Sequence, residues 1–195
     1  MNEHPCHGTS IAWFSLTPWT RFIKLPILAL ALTCSAVALG GQEIGHFAAL
    51  VQAGQSKLKA VQSFPSKGRE HVASGTKIDY GTPYPTSGPH WPSPIDPGYY
   101  TKPQPPEGLV HSLEHGIIVI YYDHPGSAAE TTLKRWAAHF TGPWSGLIAT
   151  PHAGLGQRVV LTAWRHRLEL PRFDPAASAA FIDRFRGRGP EHPVR

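Results

Sequence analysis

Two histidines and a carboxylate, His111, Glu114 and His115, fall within five residues of the chain. Imidazole nitrogens and a carboxylate at that density can hold a transition metal or move protons. The spacing His111-x-x-Glu114-His115 fits the His-x-x-Glu-His pattern of one class of zinc protease, which needs a helix to put both histidines on one face. The residues that follow are Gly116 and then Ile117-Ile-Val-Ile-Tyr-Tyr122, a β-branched and aromatic run that favours a strand. On a straight strand the two histidines share a face but stand about 13 Å apart, too far to bind one ion. Glu114 then points to the other face. A helical turn ending at Gly116 would restore the helical geometry, but the neighbouring residues favour the strand.

A site shared with another segment avoids that difficulty. His90 closes the run Tyr84-Pro-Thr-Ser-Gly-Pro-His90, and His71 lies further upstream. A rigid proline-rich loop can present a ligand at fixed geometry. His90, with His71, is therefore expected to converge on His111 or His115 at the mouth of a sheet, with Glu114 binding an ion or orienting a ring. The rival reading is structural: the same histidines hydrogen-bond loop carbonyls that proline leaves without amide partners. Both readings stay open at this level. Ser87 and Ser112 lie near these histidines, yet neither sits in a strand-to-helix elbow with an oxyanion hole, so a serine nucleophile has thin support. His46, His124, His139, His152, His166 and His192 are dispersed.

The missing residue types narrow the metal. The chain has two cysteines, Cys6 and Cys34, and one methionine, Met1, so nothing after Gly41 carries sulfur. A thiolate site, a cysteine nucleophile and a disulfide framework are excluded there. Histidine, carboxylate and backbone oxygen remain, which suits Zn(II), Cu(II), Ni(II) or non-haem iron, and a site of two or three histidines with a carboxylate suits Zn(II) or Cu(II).

Other elements must position these groups. Arg21 and Lys24 precede residues 25–41, which carry no charge and span about 25 Å as a helix. Residues 21–41 read as a transmembrane signal anchor after a cytoplasmic tail, 1–20, with a signal peptide cleaved near Ala36-Val-Ala38 as the alternative. The single span places the rest of the chain on the periplasmic or extracytoplasmic side of the inner membrane. Phe47, Leu50, Val51, Leu58 and Val61 form an approximate helical stripe, so residues 42–64 read as a helical stalk. Residues 65–195 form the exported domain.

Nine prolines between Thr82 and Gly108 exclude helix and central strand, while Tyr80, Tyr84, Trp91, Tyr99 and Tyr100 argue for an ordered loop pinned by its rings. A strand ends in residues 117–122. Ser127-Ala-Ala-Glu130 reads as a capping box opening a helix through Leu133, Trp136, Ala137 and Phe140. Short strands follow at 146–150 and 157–165. Asp174-Pro175 caps a last helix that stops at Gly187. The class is α+β: a small mixed or antiparallel sheet with two packed helices, a long proline-rich loop and an N-terminal membrane helix.

The formal charge of +5 comes partly from arginines near the C-terminus, which suggests a solvated basic surface. No recognition helix or aromatic RNA-binding motif is present, so the membrane is an expected partner and nucleic acid is not.

Ser87-Gly-Pro-His90, His111-Ser-Leu-Glu-His-Gly116, Leu161-Thr-Ala-Trp164, Phe173-Asp174, Phe181-Ile182 and Gly189-Pro-Glu191 together resemble a bacterial family of unknown function, DUF3105. The similarity covers about residues 70–191. The resemblance implies an exported or single-pass anchored protein with one such domain, and His71, His90, His111, Glu114 and His115 match its signature. It implies no particular chemistry. The residues favour metal binding through His90, His111, His115, Glu114 and His71. A metal-dependent hydrolase with Glu114 as base and an envelope interaction module using the Tyr80–Tyr100 loop are the alternatives.

Overall fold

The computed structural model describes residues 46–195. Six strands form one mixed sheet in the order β1-β6-β5-β3-β4-β2. They are β1 (Gln62–Ser63), β2 (Gly98–Tyr99), β3 (Ile118–Tyr122), β4 (Leu147–Pro151), β5 (Val159–Ala163) and β6 (His166–Leu170). The central β3 runs parallel to β4 and antiparallel to β5. Four helical segments pack on this sheet. They are α1 (46–54, continuing as a 3-10 helix over Gln55–Ala60), α2 (Pro106–Glu114), α3 (Ser127–His139) and α4 (Pro175–Phe185).

The strands are covered on both faces, which is why β3 reads as an unbroken apolar run. Alternation sorts its side chains. Ile118, Ile120 and Tyr122 join Leu147, Val159 and Leu161 in a core shared with Leu133 and Trp136 of α3 and Phe181 and Ile182 of α4. Val119 and Tyr121 join Ile148 and Val160 on the opposite face, under Leu109 and Leu113 of α2. The α2 face is also the face that the proline-rich loop reaches through Tyr84, Ile95 and Tyr100.

Several expectations need correction. The sheet carries four helical segments, not two. Residues 42–64 were expected as a helical stalk; from residue 46 the helix runs only to Ala60, and Gln62–Ser63 pair with β6. This helix packs on the domain: Val51 is buried, Phe47 meets the rings of Trp136 and Phe140, and a Cβ at Gly54 would run into the Ala176 carbonyl. Ser127 does not cap α3. Gly126 holds the N-cap with φ +89°, and Ser127 is the first helical residue. The strand expected over 157–165 is present as β5 but stops at Ala163, because Arg165 adopts φ +64° and turns the chain into an unforeseen partner, β6. Asp174 does cap α4, accepting from Ala177 N at 3.0 Å. Among the described residues no helix is long and apolar enough to cross a membrane. The segment expected to do so, 21–41, lies outside them.

Candidate metal centre

The largest correction concerns the His-x-x-Glu-His segment, which lies on a helix. Pro106 is accommodated in the first turn of α2, where no intrahelical amide bond is lost. The helix ends in a Schellman motif. Gly116 N donates to Leu113 O and Ile117 N to Ser112 O, each at 3.0 Å, with Gly116 at φ +91°. The glycine before the β-branched run is thus the end of one element and the hinge into the next. His111 and His115 lie one turn apart on the same face, with Nε2 atoms separated by 3.1 Å.

The loop delivers His71 and His90 to that face. The two residues form a parallel β-bridge, with His90 N donating to Glu70 O at 3.0 Å and Val72 N to His90 O at 2.8 Å. The His71 ring stacks on His111 at a centroid distance of 5.0 Å, and the His90 ring lies 4.9 Å from His111. The loop is held by its rings and by α2. Tyr80 Oη donates to Pro89 O at 2.6 Å and Trp91 Nε1 to Thr76 O at 2.9 Å. Ser112 Oγ accepts from Ile95 N at 2.9 Å and lies 2.8 Å from Ile95 O. Ser87 Oγ accepts from Lys67 N at 3.0 Å. Both serines are buried fasteners of the loop.

The hydrogen bonds of the rings decide what their other nitrogens can do. His90 Nδ1 donates to Gly88 O at 2.8 Å, His111 Nδ1 to Trp91 O at 2.6 Å, and His115 Nδ1 to Pro143 O at 3.3 Å. A carbonyl oxygen only accepts, so each Nδ1 carries the proton, and a neutral ring then keeps its lone pair at Nε2. Clamp and site are therefore compatible: one nitrogen of each ring holds backbone while the other faces the cluster.

Two carboxylates complete it. Glu114 Oε2 lies 3.0 Å from His90 Nε2, a buried atom with no hydrogen-bond partner, and Arg69 stands 4.0 Å from Glu114 Oε1. Glu191 Oε2 lies 3.0 Å from His115 Nε2 and 3.9 Å from His111 Nε2. His90 is fully buried, and His111 and Glu114 are each 4% exposed. Burial holds the His111 imidazole below its ordinary pKa. The neighbouring His115, His90 and His71 act in the same direction, against the hydrogen bond to Trp91 O. The neutral ring is the form that can ligate.

All five expected site residues meet here, in two overlapping groups: His71, His90, His111 and Glu114, and His111, His115 and Glu191. In each group the potential ligand atoms lie within 4.8 Å of one another. Glu191 was not expected as a site residue. It comes from the C-terminal segment, which crosses the end of α2 so closely that a Cβ at Gly189 would strike the Glu114 carbonyl. Only its place in the Gly189-Pro-Glu191 motif marked it in the sequence. Trp144, also unforeseen, stacks on His115 at 3.9 Å. His46, His124, His139, His152, His166 and His192 join neither group. His192 lies edge-on to Trp144 at 5.2 Å.

A family model described as "Protein of unknown function (DUF3105)" matches residues 71–195, a span containing every residue of both groups. No curated protein and no solved structure matches the chain.

Proposed function

We propose that this chain, which belongs to the DUF3105 family, binds a transition-metal ion through the Nε2 atoms of its buried histidines. The observation that carries the reading is the orientation of His90, His111 and His115. Each spends Nδ1 on a backbone carbonyl and turns Nε2 toward other acceptors. On neutral rings these lone pairs face one another and a carboxylate at about 3 Å, an arrangement that is repulsive until a proton or a metal cation lies between them. Backbone carbonyls on the far nitrogens are the partners that orient metal-ligating histidines.

The spacing agrees with the chemistry of the donors. His111 to His115, His115 to Glu191 and His111 to Glu191 are 3.1, 3.0 and 3.9 Å. A tetrahedral ion with bonds of about 2.0–2.1 Å has donor–donor edges of about 3.3–3.4 Å. Nitrogen and oxygen donors without sulfur favour Zn(II) or Cu(II). His71, His90, His111, His115 and Glu114 are the candidate donors, with Glu191 as a further one.

Binding is preferred to hydrolysis because Ser87 and Ser112 are both engaged in holding the loop, and Glu114 faces His90. One feature favours a metal-dependent hydrolase as second reading. His111 and His115 on a helix plus Glu191 make three protein ligands, which leaves a fourth position open as in catalytic zinc sites. An interaction module has less support, since the rings of Tyr84, Tyr99 and Tyr100 pack on the cores. The anchor and export of the domain belong to this proposal too, and rest on the basic flank and uncharged run of residues 21–41.

The test is elemental analysis of the full-length protein, purified without chelators, beside His111→Ala and His90→Ala. The expected result is a bound first-row metal that both variants lose. Absence of metal from the wild type, with a melting temperature indifferent to added Zn(II) and Cu(II), overturns the reading. Hydrolytic activity lost in Glu114→Gln with metal retained selects the second reading.

A further inference from the structure

We infer that the cluster offers a single ion two mutually exclusive positions that share His111. The ion loads at a shallow position made by His111, His115 and Glu191 and passes to an inner one made by His71, His90, His111 and Glu114. This inference rests on the metal reading above.

His111 is common to both groups. Its Nδ1 is committed to Trp91 O at 2.6 Å, so Nε2 is its one available donor. One lone pair binds one ion. Two ions can therefore not fill both groups, although each group alone has enough donors to hold one.

The groups differ in depth. Three of the four inner donors are buried, with the side chains of His90, His111 and Glu114 no more than 5% exposed. In the shallow group His115 is 12% and Glu191 41% exposed. The Glu191 carboxylate is the only negative charge of the shallow group, and it stands at the surface where a hydrated cation arrives. The inner group has a carboxylate as well, Glu114, and one donor more. Each group has one exposed donor, neutral His71 in the inner and charged Glu191 in the shallow. The shallow group therefore draws in a hydrated cation first, while the inner group, with one donor more, holds it more firmly.

Transfer needs no redox partner. Bonds from the ion to His115 Nε2 and Glu191 Oε2 break as bonds to His90 Nε2 and Glu114 Oε2 form, and the bond to His111 Nε2 is retained throughout. The electron pairs stay on the donor atoms. His71, exposed at the rim of the inner group, closes the set.

The structure supplies its own reporters. Trp144 stacks on the shallow ligand His115 at 3.9 Å, and Trp164 lies 6.5 Å from the inner ligand His90. The test mixes metal-free full-length protein with Cu(II) in a stopped-flow fluorimeter and measures stoichiometry at saturation. The expected result is one Cu(II) per chain and two phases. The first is proportional to Cu(II) concentration and vanishes in Trp144→Phe; the second is independent of concentration.

Glu191→Gln, and independently His115→Ala, should slow loading by about tenfold or more while the final stoichiometry stays at one. His90→Ala should keep the fast phase, lose the slow one and release the ion during desalting, because the shallow position alone holds it weakly. Two ions per chain, or loading of both shallow-group variants at the wild-type rate, overturns the transfer while leaving metal binding intact. No Cu(II) bound to the wild type overturns the metal reading and the transfer together.

Discussion

His111 and His115 present their Nε2 atoms to each other across 3.1 Å, while each ring donates from Nδ1 to a carbonyl of a different loop, Trp91 O and Pro143 O. Each ring therefore has a scaffolding nitrogen and a cluster-facing nitrogen, and substitutions can separate the two. Asparagine carries its amide nitrogen on Cγ, where histidine carries Nδ1, so His111→Asn keeps the donor to Trp91 O and removes the ligand. His111→Ala removes both. In metal-free protein His111→Ala is expected to lose about 1–3 kcal/mol, the cost of a buried carbonyl left without its donor. His111→Asn is expected to stay within about 1 kcal/mol of wild type. Both should lose the metal. Urea unfolding in the presence of a chelator, paired with metal analysis, checks this. Equal destabilisation by the two variants would sink the division of labour.

An ion bound at this cluster stabilises the native state, because the site is assembled from α2, the loop and the C-terminal segment and does not exist in the unfolded chain. With free ion roughly a hundredfold above Kd the gain is about 2.7 kcal/mol. Thermal unfolding with and without a chelator should show a lower Tm in the chelated wild type. In His90→Ala the difference should shrink toward zero. A chelator that leaves the wild-type Tm unchanged would remove the energetic basis for the site.

Gly116 joins the helix to the sheet and to the C-terminal segment. Its φ of +91° is strained for any L side chain, and a Cβ there would lie 2.7 Å from Gly189 N. Gly187 N also donates to Gly116 O at 2.8 Å. Gly116→Ala should destabilise the fold by about 1–2 kcal/mol for the backbone alone. It should also push the segment carrying Glu191 away from His115. Loading of metal should therefore slow in Gly116→Ala even under conditions where circular dichroism shows the protein folded. A variant that is destabilised but loads metal at the wild-type rate would show that Glu191 is dispensable.

Much of this arrangement was legible in the residues. The apolar run of β3, the Asp174 cap and the loop pinned by its rings follow from patterns that local physics enforces. His90, with His71, was expected to converge on His111 or His115 because a rigid proline-rich loop can present a ligand at fixed geometry. The helical state of His111 was not legible, although its signals were present: Pro106 suits a first turn and Gly116 a C-terminal stop. Nine residues of helix between a proline-rich loop and a strand leave too little periodicity to outweigh the β-branched run that follows. Glu191 was beyond local reasoning altogether. Its place depends on how the chain after α4 crosses the end of α2, a tertiary contact fixed by Gly116 and Gly189.

Acid should destabilise the metal-free protein. Burial is the leading cause that holds His111, His152 and His166 below their ordinary value of 6.5. The His115, His90 and His71 imidazoles add to it at His111, and Arg165 and Arg184 add to it at His166, while Asp123 opposes it at His152. The unfolded chain takes up these protons near pH 6.5, and the folded chain does so only at lower pH. Below 6.5 the unfolded state therefore binds more protons, so stability is fully present above that pH. It falls as the pH drops toward the depressed folded values. Carboxylates titrate mostly lower, so between about pH 7 and pH 5 the histidines set the slope. Chelated protein should show a Tm that declines across this window, and His166→Gln should flatten the decline. The metal-loaded protein should decline more steeply, because protons compete with the ion for Nε2. A Tm that is constant or rising from pH 7 to pH 5 would mean that these rings are as easily protonated in the fold as in water.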